Sequence, residues 1–269
     1  MNALVLGAKG QLGSELVRLL GGDTAVPRDR LSITDRAEVE AVIAARKPAV
    51  VFNCAAYNAV DRAESEPELA YAVNADGPLN VAASCRRHGA TLVHFSTNFI
   101  FDGDHDQPYV EADEPSPLSV YGKSKLEGER RAFEVGPHLL IVRTAAVFGG
   151  PQSFPQRILE RARLGDRLRV VSDQMVNPTF ARDLAAGAVD LVQQEMAGIV
   201  HAVAEGCTGW DDFARAVLAE RGLQAAVESI ASHAYPSAAR RPLNGCLAST
   251  RYGALRPWRE ALREWAKEA

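Results

Sequence analysis

Tyr121 and Lys125 are the clearest pair of acid–base groups in this sequence. They stand in the stretch VYGKSKLEGE, separated by three residues, so on a helix their side chains lie on one face. A phenol has a pKa near ~10 and is a poor proton carrier at neutral pH. A nearby ammonium favours the phenolate and lowers that pKa, so such a tyrosine can give a proton to a carbonyl oxygen as a hydride arrives. A Tyr–Lys pair is also common on helix surfaces without any role, so it needs further support.

Polar residues at the end of a buried strand supply part of that support. Ser96 and Thr97 follow the apolar run TLVHF directly, where a strand is expected to end. Ligands of doubly wound sheets bind outside the carboxyl ends of the strands. We therefore expect Ser96 and Thr97 to face the same site as Tyr121 and Lys125.

A glycine-rich turn points to a dinucleotide. Gly7, Gly10 and Gly13 have the spacing G-x-x-G-x-x-G between the strand-like ALVLG and the helical QLGSELVRLL. Glycine permits a tight turn and lets the backbone approach a pyrophosphate, which the helix N-terminus attracts. A plain β–α turn is the alternative, but the position at the start of the chain favours the dinucleotide.

The end of the second strand bears on the choice between NADPH and NADH. An acidic residue there suits NADH, whereas an arginine suits a 2′-phosphate. The sequence has Arg28 and Arg30, which favour NADPH, with Asp29 between them. NADH therefore stays open at this point, as does a solvated charged loop without any role.

These residues need a scaffold, and the sequence predicts a doubly wound parallel α/β sheet of the Rossmann type. Apolar runs alternate with helical patterns through the first two-thirds of the chain, as expected when helices cover both faces of a parallel sheet. This alternation of apolar runs and helical patterns stops after Gly149, resumes for one helix and one strand, and then stops again. We predict a Rossmann domain over residues 1–148, with 181–204 returning to it, and a smaller, discontinuous α/β substrate lobe over 149–180 and 205–269. Thr208 to Asp211 resembles a capping box, and a helix over 66–88 is expected to break at Gly77–Pro78.

Composition excludes several classes of protein. The 269 residues are 47% hydrophobic and 24% charged with a net charge of −4, typical of a globular protein. Charges of both signs are scattered, so nucleic acid is not an expected partner. No apolar run reaches the ~20 residues that span a membrane, and the chain start lacks a signal-peptide pattern, so a cytoplasmic protein is expected. The four cysteines lie far apart and are expected to be reduced.

Several longer motifs resemble one family. They are GAKGQLGSEL, NCAAYNAVDRAESEP, VYGKSKLEGE, VNPTFARDLA and AYPSAARRPLNGCL. Through them nearly the whole chain resembles the dTDP-4-dehydrorhamnose reductase family, within the extended short-chain dehydrogenase/reductase superfamily. The Tyr-x-x-x-Lys pair is shared by the whole superfamily, whereas the AVDRAESEP and Arg-Arg-Pro segments are more specific.

The resemblance implies NADPH-dependent reduction of the C4 ketone of a nucleotide-linked 4-dehydro-6-deoxy sugar, most simply dTDP-4-dehydro-L-rhamnose. The family's catalytic residues fall on Thr97, Tyr121 and Lys125. The implied cofactor-binding residues are Gly7, Lys9, Gly10, Gln11, Leu12, Gly13, Arg28, Cys54, Ala55, Ala56, Tyr57, Ser96, Tyr121 and Lys125. The implied substrate-binding residues are Val60, Thr97, Asn98, Tyr121, Ala146, Asn177, Pro178, Thr179 and Arg240. Arginine suits a diphosphate because its planar fork matches phosphate oxygens.

The chain departs from the family pattern within the expected pocket. Asn98 and Phe99 stand where the family usually has Asp and Tyr, and Ala146 replaces a tryptophan. Another sugar-nucleotide 4-ketoreductase, an epimerase, or a non-catalytic NADP-binding subunit like that of methionine adenosyltransferase therefore remain alternatives. Some family members bind Mg²⁺ at a dimer contact, so the resemblance allows a homodimer, but the motifs assign no metal ligand.

Overall fold

A single parallel sheet forms the centre of the molecule. The computed structural model describes residues 1–26, 31–136 and 138–268. The strands are β1 (Ala3–Leu6), β2 (Ala25–Val26), β3 (Val50–Asn53), β4 (Thr91–Thr97), β5 (Leu139–Thr144), β6 (Val147–Phe148), β7 (Leu168–Val171), β8 (Met175–Val176), β9 (Thr179–Phe180), β10 (Gly198–His201), β11 (Thr208–Gly209) and β12 (Val227–Ile230). The helices are α1 (Gln11–Leu20), α2 (Arg36–Arg46), α3 (Val60–Ala63), α4 (Pro67–Tyr71), α5 (Gly77–His88), α6 (Val120–Val135), α7 (Phe154–Arg163), α8 (Ala181–Gln193), α9 (Trp210–Glu220) and α10 (Trp258–Glu268).

The central sheet has the order β2-β1-β3-β4-β5-β10, and all its pairings are parallel. Helices α1 and α8 pack on one face through Leu12, Leu16 and Leu184. Helices α2, α5 and α6 cover the other face, where Val39 and Val81 are fully buried. Because both faces are covered, the strands are continuous apolar runs. The predicted doubly wound α/β sheet is confirmed.

The direction of winding reverses at β1, and this places two loops side by side. The chain passes from β1 to β2 at one edge and then crosses to β3 on the other side of β1. Gly7 and Ala55, which follow β1 and β3, lie so close that a Cβ on Gly7 would meet the Ala55 nitrogen at 2.6 Å. Such switch points are where doubly wound sheets bind ligands.

The predicted break at Gly77–Pro78 takes the form of a π-helical turn. Residues Ala72–Asp76 join α4 to α5 without a loop. Pro78 has no N–H to donate to the carbonyl of Asn74, four residues earlier. That carbonyl instead faces Gly128 of α6, where a Cβ would meet it at 2.0 Å. The irregular turn therefore lets α6 pack closely against this helix.

A second core lies beyond the carboxyl edge of the sheet. It is built from α7, α9 and α10 around Phe148, Phe213, Trp258 and Trp265. Three separate two-stranded ladders, β7 with β12, β8 with β11 and β6 with β9, complete this part of the molecule. The chain returns to the central sheet through α8 and β10, so the second core is discontinuous in sequence. The exact boundaries at residues 148, 180 and 204 stay predictions.

The predicted capping box is wrong. Helix α9 begins at Trp210 with Gly209 as its N-cap and without a side-chain cap. Thr208 belongs to β11 and pairs with Val176 of β8. Its hydroxyl therefore does not cap the helix. Within the part of the chain that the structure describes, no helix is long and apolar enough to cross a membrane.

The prediction of four reduced cysteines is also wrong. Cys207 and Cys246 form a disulfide with their Cα atoms 6.1 Å apart, whereas Cys54 and Cys85 are free. The two half-cystines meet because Asn177 already joins their segments: its side chain bonds to the Gly206 carbonyl and to the backbone N–H of the residue after Cys246. That proximity is tertiary, and the sequence spacing gives no sign of it.

Candidate active site

The start of α6 sets the position of Tyr121 and Lys125. Ser119 caps the helix, and its Oγ accepts from the Gly122 N–H at 3.1 Å. Gly122 has no room for a side chain, because a Cβ would lie 2.2 Å from the Phe99 carbonyl. The first turn of α6 is therefore pressed against the turn that follows β4. This contact brings Thr97, Tyr121 and Lys125 together at the carboxyl edge of the sheet, as predicted.

Tyr121 is held by aromatic and polar neighbours. The Phe99 ring packs edge-on against it at 5.5 Å between ring centroids. Its hydroxyl donates to Asn58 Oδ1 at 3.4 Å. Burial raises the pKa of Tyr121 to about 12, and an interaction with the Thr97 side chain offsets part of that rise. The predicted lowering of this pKa by Lys125 is therefore wrong for the protein alone, because removal of the phenol from water is the larger effect.

Lys125 is a buried cation. Its side chain is only 2% exposed, and Nζ donates to the Phe95 carbonyl at 2.7 Å. Burial lowers the pKa of Lys125 to about 8, and the Glu129 carboxylate acts in the opposite direction. Glu129 is itself buried in an ion pair with Arg143, whose Nη2 lies 2.7 Å from Oε2. The Glu129 carboxylate, held in place by Arg143, therefore favours the charged form of Lys125.

The Thr97 and Asn98 side chains at the end of β4 are held by hydrogen bonds that the sequence does not predict. Thr97 Oγ1 accepts from the Phe99 N–H at 3.2 Å and donates to Asn98 Oδ1 at 3.3 Å. Asn98 in turn donates to the Gly245 carbonyl at 2.9 Å, so it connects this turn to the second core. The Ser96 hydroxyl is buried and makes no hydrogen bond within the described chain.

The glycine turn provides a cradle of the shape that a pyrophosphate needs. A Cβ on Gly13 would lie 2.3 Å from the Gly7 carbonyl oxygen, and Gly7 has φ +73°. The Gly10 N–H donates to the same carbonyl at 3.0 Å. Helix α1 begins immediately after with no acidic residue in its first turn and no side-chain cap, so its N-terminal N–H groups and dipole favour an anion. These features fit a dinucleotide cofactor.

The remaining predicted cofactor residues surround this cradle. Lys9 is exposed in the turn, and Leu12 packs into the core of the sheet. The Gln11 side chain accepts from the Gly150 N–H at 3.0 Å, so it joins the turn to the loop after β6. Arg28 lies outside the described residues.

The loop after β3 forms the opposite wall. Cys54, Ala55 and Ala56 are half-buried beside the glycine turn, and burial raises the pKa of the Cys54 thiol. The backbone N–H of Tyr57 donates to Asn74 Oδ1 at 2.8 Å, and the Tyr57 hydroxyl bonds to Glu66. Asn74 also donates to Ser124 of α6 at 3.0 Å. Sequence reasoning missed Asn74, since nothing in the sequence marks a buried asparagine that joins two elements.

A cleft of about 290 Å³ opens beside the turn that follows β4, between the sheet edge and the second core. Asn98 and Phe99 lie at its inner end, and Trp210 and Tyr235 supply aromatic walls. Its lining includes the cationic side chains Arg157, Arg161, Arg169 and Arg241, and no carboxylate among the described residues. Such a lining suits an elongated ligand that carries negative charge.

Of the predicted substrate residues, Val60 lies beside Tyr121, whereas the segment 177–179 is held by hydrogen bonds elsewhere in the chain. Val60 packs beside Tyr121 in a small apolar cluster. Ala146 has φ +42° and accepts from the Thr179 N–H at 3.2 Å. Asn177 is 4% exposed, and its amide is fully engaged with backbone groups of residues 204, 206 and 247.

Thr179 and Pro178 are likewise buried, and the Thr179 hydroxyl donates to the Asn177 carbonyl at 3.1 Å. As placed, the segment 177–179 supports the second core, and its direct contact with substrate stays a prediction. Arg240 is exposed, whereas its neighbour Arg241 lies in the cleft wall. The resemblance assigns Arg240 to the substrate, and its contact with the diphosphate stays a prediction.

One family of known proteins matches the chain from end to end. The sequence profile described as RmlD substrate binding domain matches residues 1–269. The chain belongs to the RmlD family. It is 42% identical to the dTDP-4-dehydrorhamnose reductase of Streptomyces griseus over 278 aligned positions, which cover 97% of this chain and 91% of that protein.

Two further relatives of this RmlD-family chain are informative. A crystal structure of dTDP-4-dehydrorhamnose reductase from Bacillus anthracis in complex with NADP superposes with a TM-score of 0.96 at 30% identity and covers 99% of both chains. A probable dTDP-4,6-dihydroxy-2-methyloxan-3-one 4-ketoreductase of Streptomyces antibioticus is 37% identical, with coverage of 98% and 94%. The relatives of this chain thus carry the names of reductases of two different dTDP-linked ketones.

Proposed function

We propose that this protein is a reductase that uses NADPH to convert the C4 ketone of dTDP-4-dehydro-L-rhamnose to the alcohol of dTDP-L-rhamnose. The observation that carries the proposal is the meeting of Thr97, Tyr121 and Lys125 beside the glycine cradle of Gly7 and Gly13. The relatives that share the whole length of the chain, including a reductase from Streptomyces griseus, support the same activity.

Bound NADPH would supply the hydride for the ketone carbon, and the protein would supply the proton. Because the pKa of Tyr121 is about 12, its phenol stays protonated at neutral pH and is a proton donor to the oxygen that the hydride makes negative. The Thr97 hydroxyl, which donates to Asn98 Oδ1 at 3.3 Å in the protein alone, would turn its proton to that oxygen before transfer. Lys125, whose Nζ donates to the Phe95 carbonyl, would hydrogen-bond the nicotinamide ribose of the cofactor.

The cofactor would rest on the turn from Gly7 to Gly13, with the loop from Cys54 to Tyr57 along its other side. The Bacillus anthracis relative was solved with NADP, which supports NADP(H) as the dinucleotide. The preference for NADPH over NADH rests on Arg28 and Arg30, which follow β2 in the sequence.

The nucleotide part of the substrate would occupy the arginine-lined cleft. A diphosphate carries two negative charges, and arginine forks bind phosphate oxygens in pairs. The apolar and aromatic walls formed by Phe99, Trp210 and Tyr235 suit a base and a deoxy sugar. This cleft meets the catalytic residues at Phe99, which contacts Tyr121.

Turnover of a defined substrate tests the proposal. Purified protein is incubated with NADPH and dTDP-4-dehydro-6-deoxyglucose, with and without an added 3,5-epimerase, and NADPH oxidation is followed at its absorbance band. We expect oxidation only with the epimerase, accompanied by one equivalent of dTDP-rhamnose. Absence of oxidation under both conditions contradicts the proposal.

A second candidate function is reduction of the C4 ketone of another dTDP-linked deoxy sugar. Asn98, Phe99 and Ala146 replace residues that the family usually has at the pocket, and the Asn98 amide, which lines the cleft, donates to the Gly245 carbonyl. The 4-ketoreductase relative from Streptomyces antibioticus supports this alternative. Oxidation of NADPH without the epimerase, in the same experiment, would favour it.

A further inference from the structure

A single carboxylate joins the cofactor-binding half of the molecule to the wall of the cleft. Asp61 lies on α3, in the loop region that follows β3. Its Oδ1 accepts from Ser237 Oγ at 2.9 Å and from the Ala239 N–H at 3.1 Å. Its two oxygens also receive both terminal nitrogens of Arg241, at 3.1 and 2.8 Å. Four donors from one short segment therefore converge on Asp61.

The geometry leaves half of the Arg241 fork available. A guanidinium has two bidentate edges. The edge formed by Nη1 and Nη2 binds Asp61, and Nη1 also bonds to Ser237 and to the Ala239 carbonyl. The other edge, formed by Nε and the second N–H of Nη2, makes no hydrogen bond within the described part of the chain. Since Arg241 lines the cleft, that edge is free to receive a second anion.

Asp61 itself is outside the cleft lining, so it does not place negative charge against a ligand there. The Arg241 guanidinium, followed by the Ala239 and Ser237 hydrogen bonds, lowers the pKa of Asp61 to about 2. Asp61 therefore stays ionised at any pH at which the enzyme would work.

We propose that Asp61 is a positioning residue that orients Arg241 so that its free edge binds the diphosphate of the nucleotide-linked substrate. This inference rests on the proposed function and adds a residue to it: Asp61 touches no reacting atom and acts through Arg241. A preorganised arginine binds phosphate with less loss of side-chain freedom than a mobile one. The contact also joins α3 to the segment 237–241, which forms part of the cleft wall.

If the Asp61–Arg241 ion pair served only to stabilise the fold, its loss would lower the melting temperature. The Asp61 side chain is 46% exposed and that of Arg241 is 24% exposed. Exposed ion pairs contribute little to folding, so loss of this one is expected to leave the melting temperature nearly unchanged. Its effect should be seen in substrate binding instead.

Asp61→Asn is the direct test, because it keeps the size of the side chain and removes its charge. We expect the KM for the sugar nucleotide to rise about tenfold, which corresponds to ~1.4 kcal/mol, while kcat changes less than about threefold and the affinity for NADPH is unchanged. Asp212→Asn is the matched control, because Asp212 pairs with Arg215 at 3.1 Å and neither residue lines the cleft. We expect that variant to behave as the wild type.

A double-mutant cycle decides whether Asp61 acts through Arg241. If it does, adding Asp61→Asn to Arg241→Gln weakens binding little further, whereas independent roles give multiplied effects. An unchanged or lower KM in Asp61→Asn, an equal change in Asp212→Asn, or multiplied effects in the double variant would each overturn the inference.

Binding of dTDP alone, measured by calorimetry, separates this inference from the proposed function. It requires no turnover, so it can be read even if the sugar assigned above is wrong. We expect about tenfold weaker dTDP binding by Asp61→Asn. Equal binding by the variant and the wild type contradicts the role of Asp61 whatever the enzyme reduces.

Discussion

Lys125→Met is expected to remove a pH-dependent loss of folding stability. In the wild type this loss comes from burial of the Lys125 ammonium. Lys125 is 2% exposed, and burial lowers its pKa from 10.5 to about 8. In the unfolded chain the same ammonium titrates near its ordinary value. Between about pH 8 and about pH 10.5 the unfolded state therefore binds more protons, and the free energy of unfolding rises with pH through that window. Below about pH 8 both states are protonated and the penalty is fully present.

The size of the effect follows from the fall in the Lys125 pKa. A change from 10.5 to about 8 corresponds to roughly 3 kcal/mol at neutral pH. Between about pH 7.5 and about pH 9.5 the free energy of unfolding of the wild type should rise by roughly 2 kcal/mol, as the buried Lys125 loses its proton. Methionine has a similar shape and does not titrate, so the stability of Lys125→Met relative to the wild type should fall by that amount over the same range. Loss of the Nζ bond to the Phe95 carbonyl shifts the comparison by a constant and leaves its slope unchanged.

Urea unfolding followed by circular dichroism at a series of pH values measures this difference. Lys123→Met is the matched control, because Lys123 lies on the same helix and is exposed. Its stability should run parallel to that of the wild type. If the Lys125→Met and wild-type curves also run parallel, the buried ammonium is not destabilising and the reasoning is refuted.

Three further perturbations are expected to have distinct outcomes. Glu129→Gln leaves Arg143 buried without its counter-ion, and should cost about 3–5 kcal/mol in urea unfolding, whereas Glu127→Gln, which breaks an exposed pair, should cost less than ~1 kcal/mol; similar losses would contradict the buried pair. Gly13→Ala places a Cβ 2.3 Å from the Gly7 carbonyl and should weaken NADPH binding more than about tenfold, unlike Gly22→Ala, which meets open space; equal affinities measured by fluorescence titration would contradict the cradle. Thiol titration of unfolded protein should find two free thiols without reductant and four after reduction, and four in both cases would exclude the disulfide.

Local patterns made much of this molecule predictable. The continuous apolar strands, the glycine turn and the Tyr-x-x-x-Lys spacing each depend on neighbours within about a dozen residues, and the sheet has the doubly wound form that they indicate. Helix α1 spans the predicted residues Gln11–Leu20. The meeting of Thr97 with Tyr121 was also predictable, because both follow from the rule that ligands collect at the carboxyl edge.

Features that depend on tertiary contacts were not predictable from the sequence. The disulfide arises because Asn177 joins two distant segments. The raised pKa of Tyr121 depends on how completely the phenol is buried, which residue spacing does not reveal. The contact between Asp61 and Arg241 joins segments 180 residues apart, so neither local sequence pattern indicates it.

The most direct test of the proposed chemistry is single-turnover reduction by the wild type and by Tyr121→Phe, with the sugar product and NADP⁺ both quantified. We predict one NADP⁺ per reduced sugar in the wild type. We also predict a loss of about 10²–10⁴ in rate for Tyr121→Phe, with NADPH affinity and melting temperature nearly unchanged. A Tyr121→Phe enzyme that reduces the ketone as fast as the wild type would contradict the assignment of Tyr121 as the proton donor.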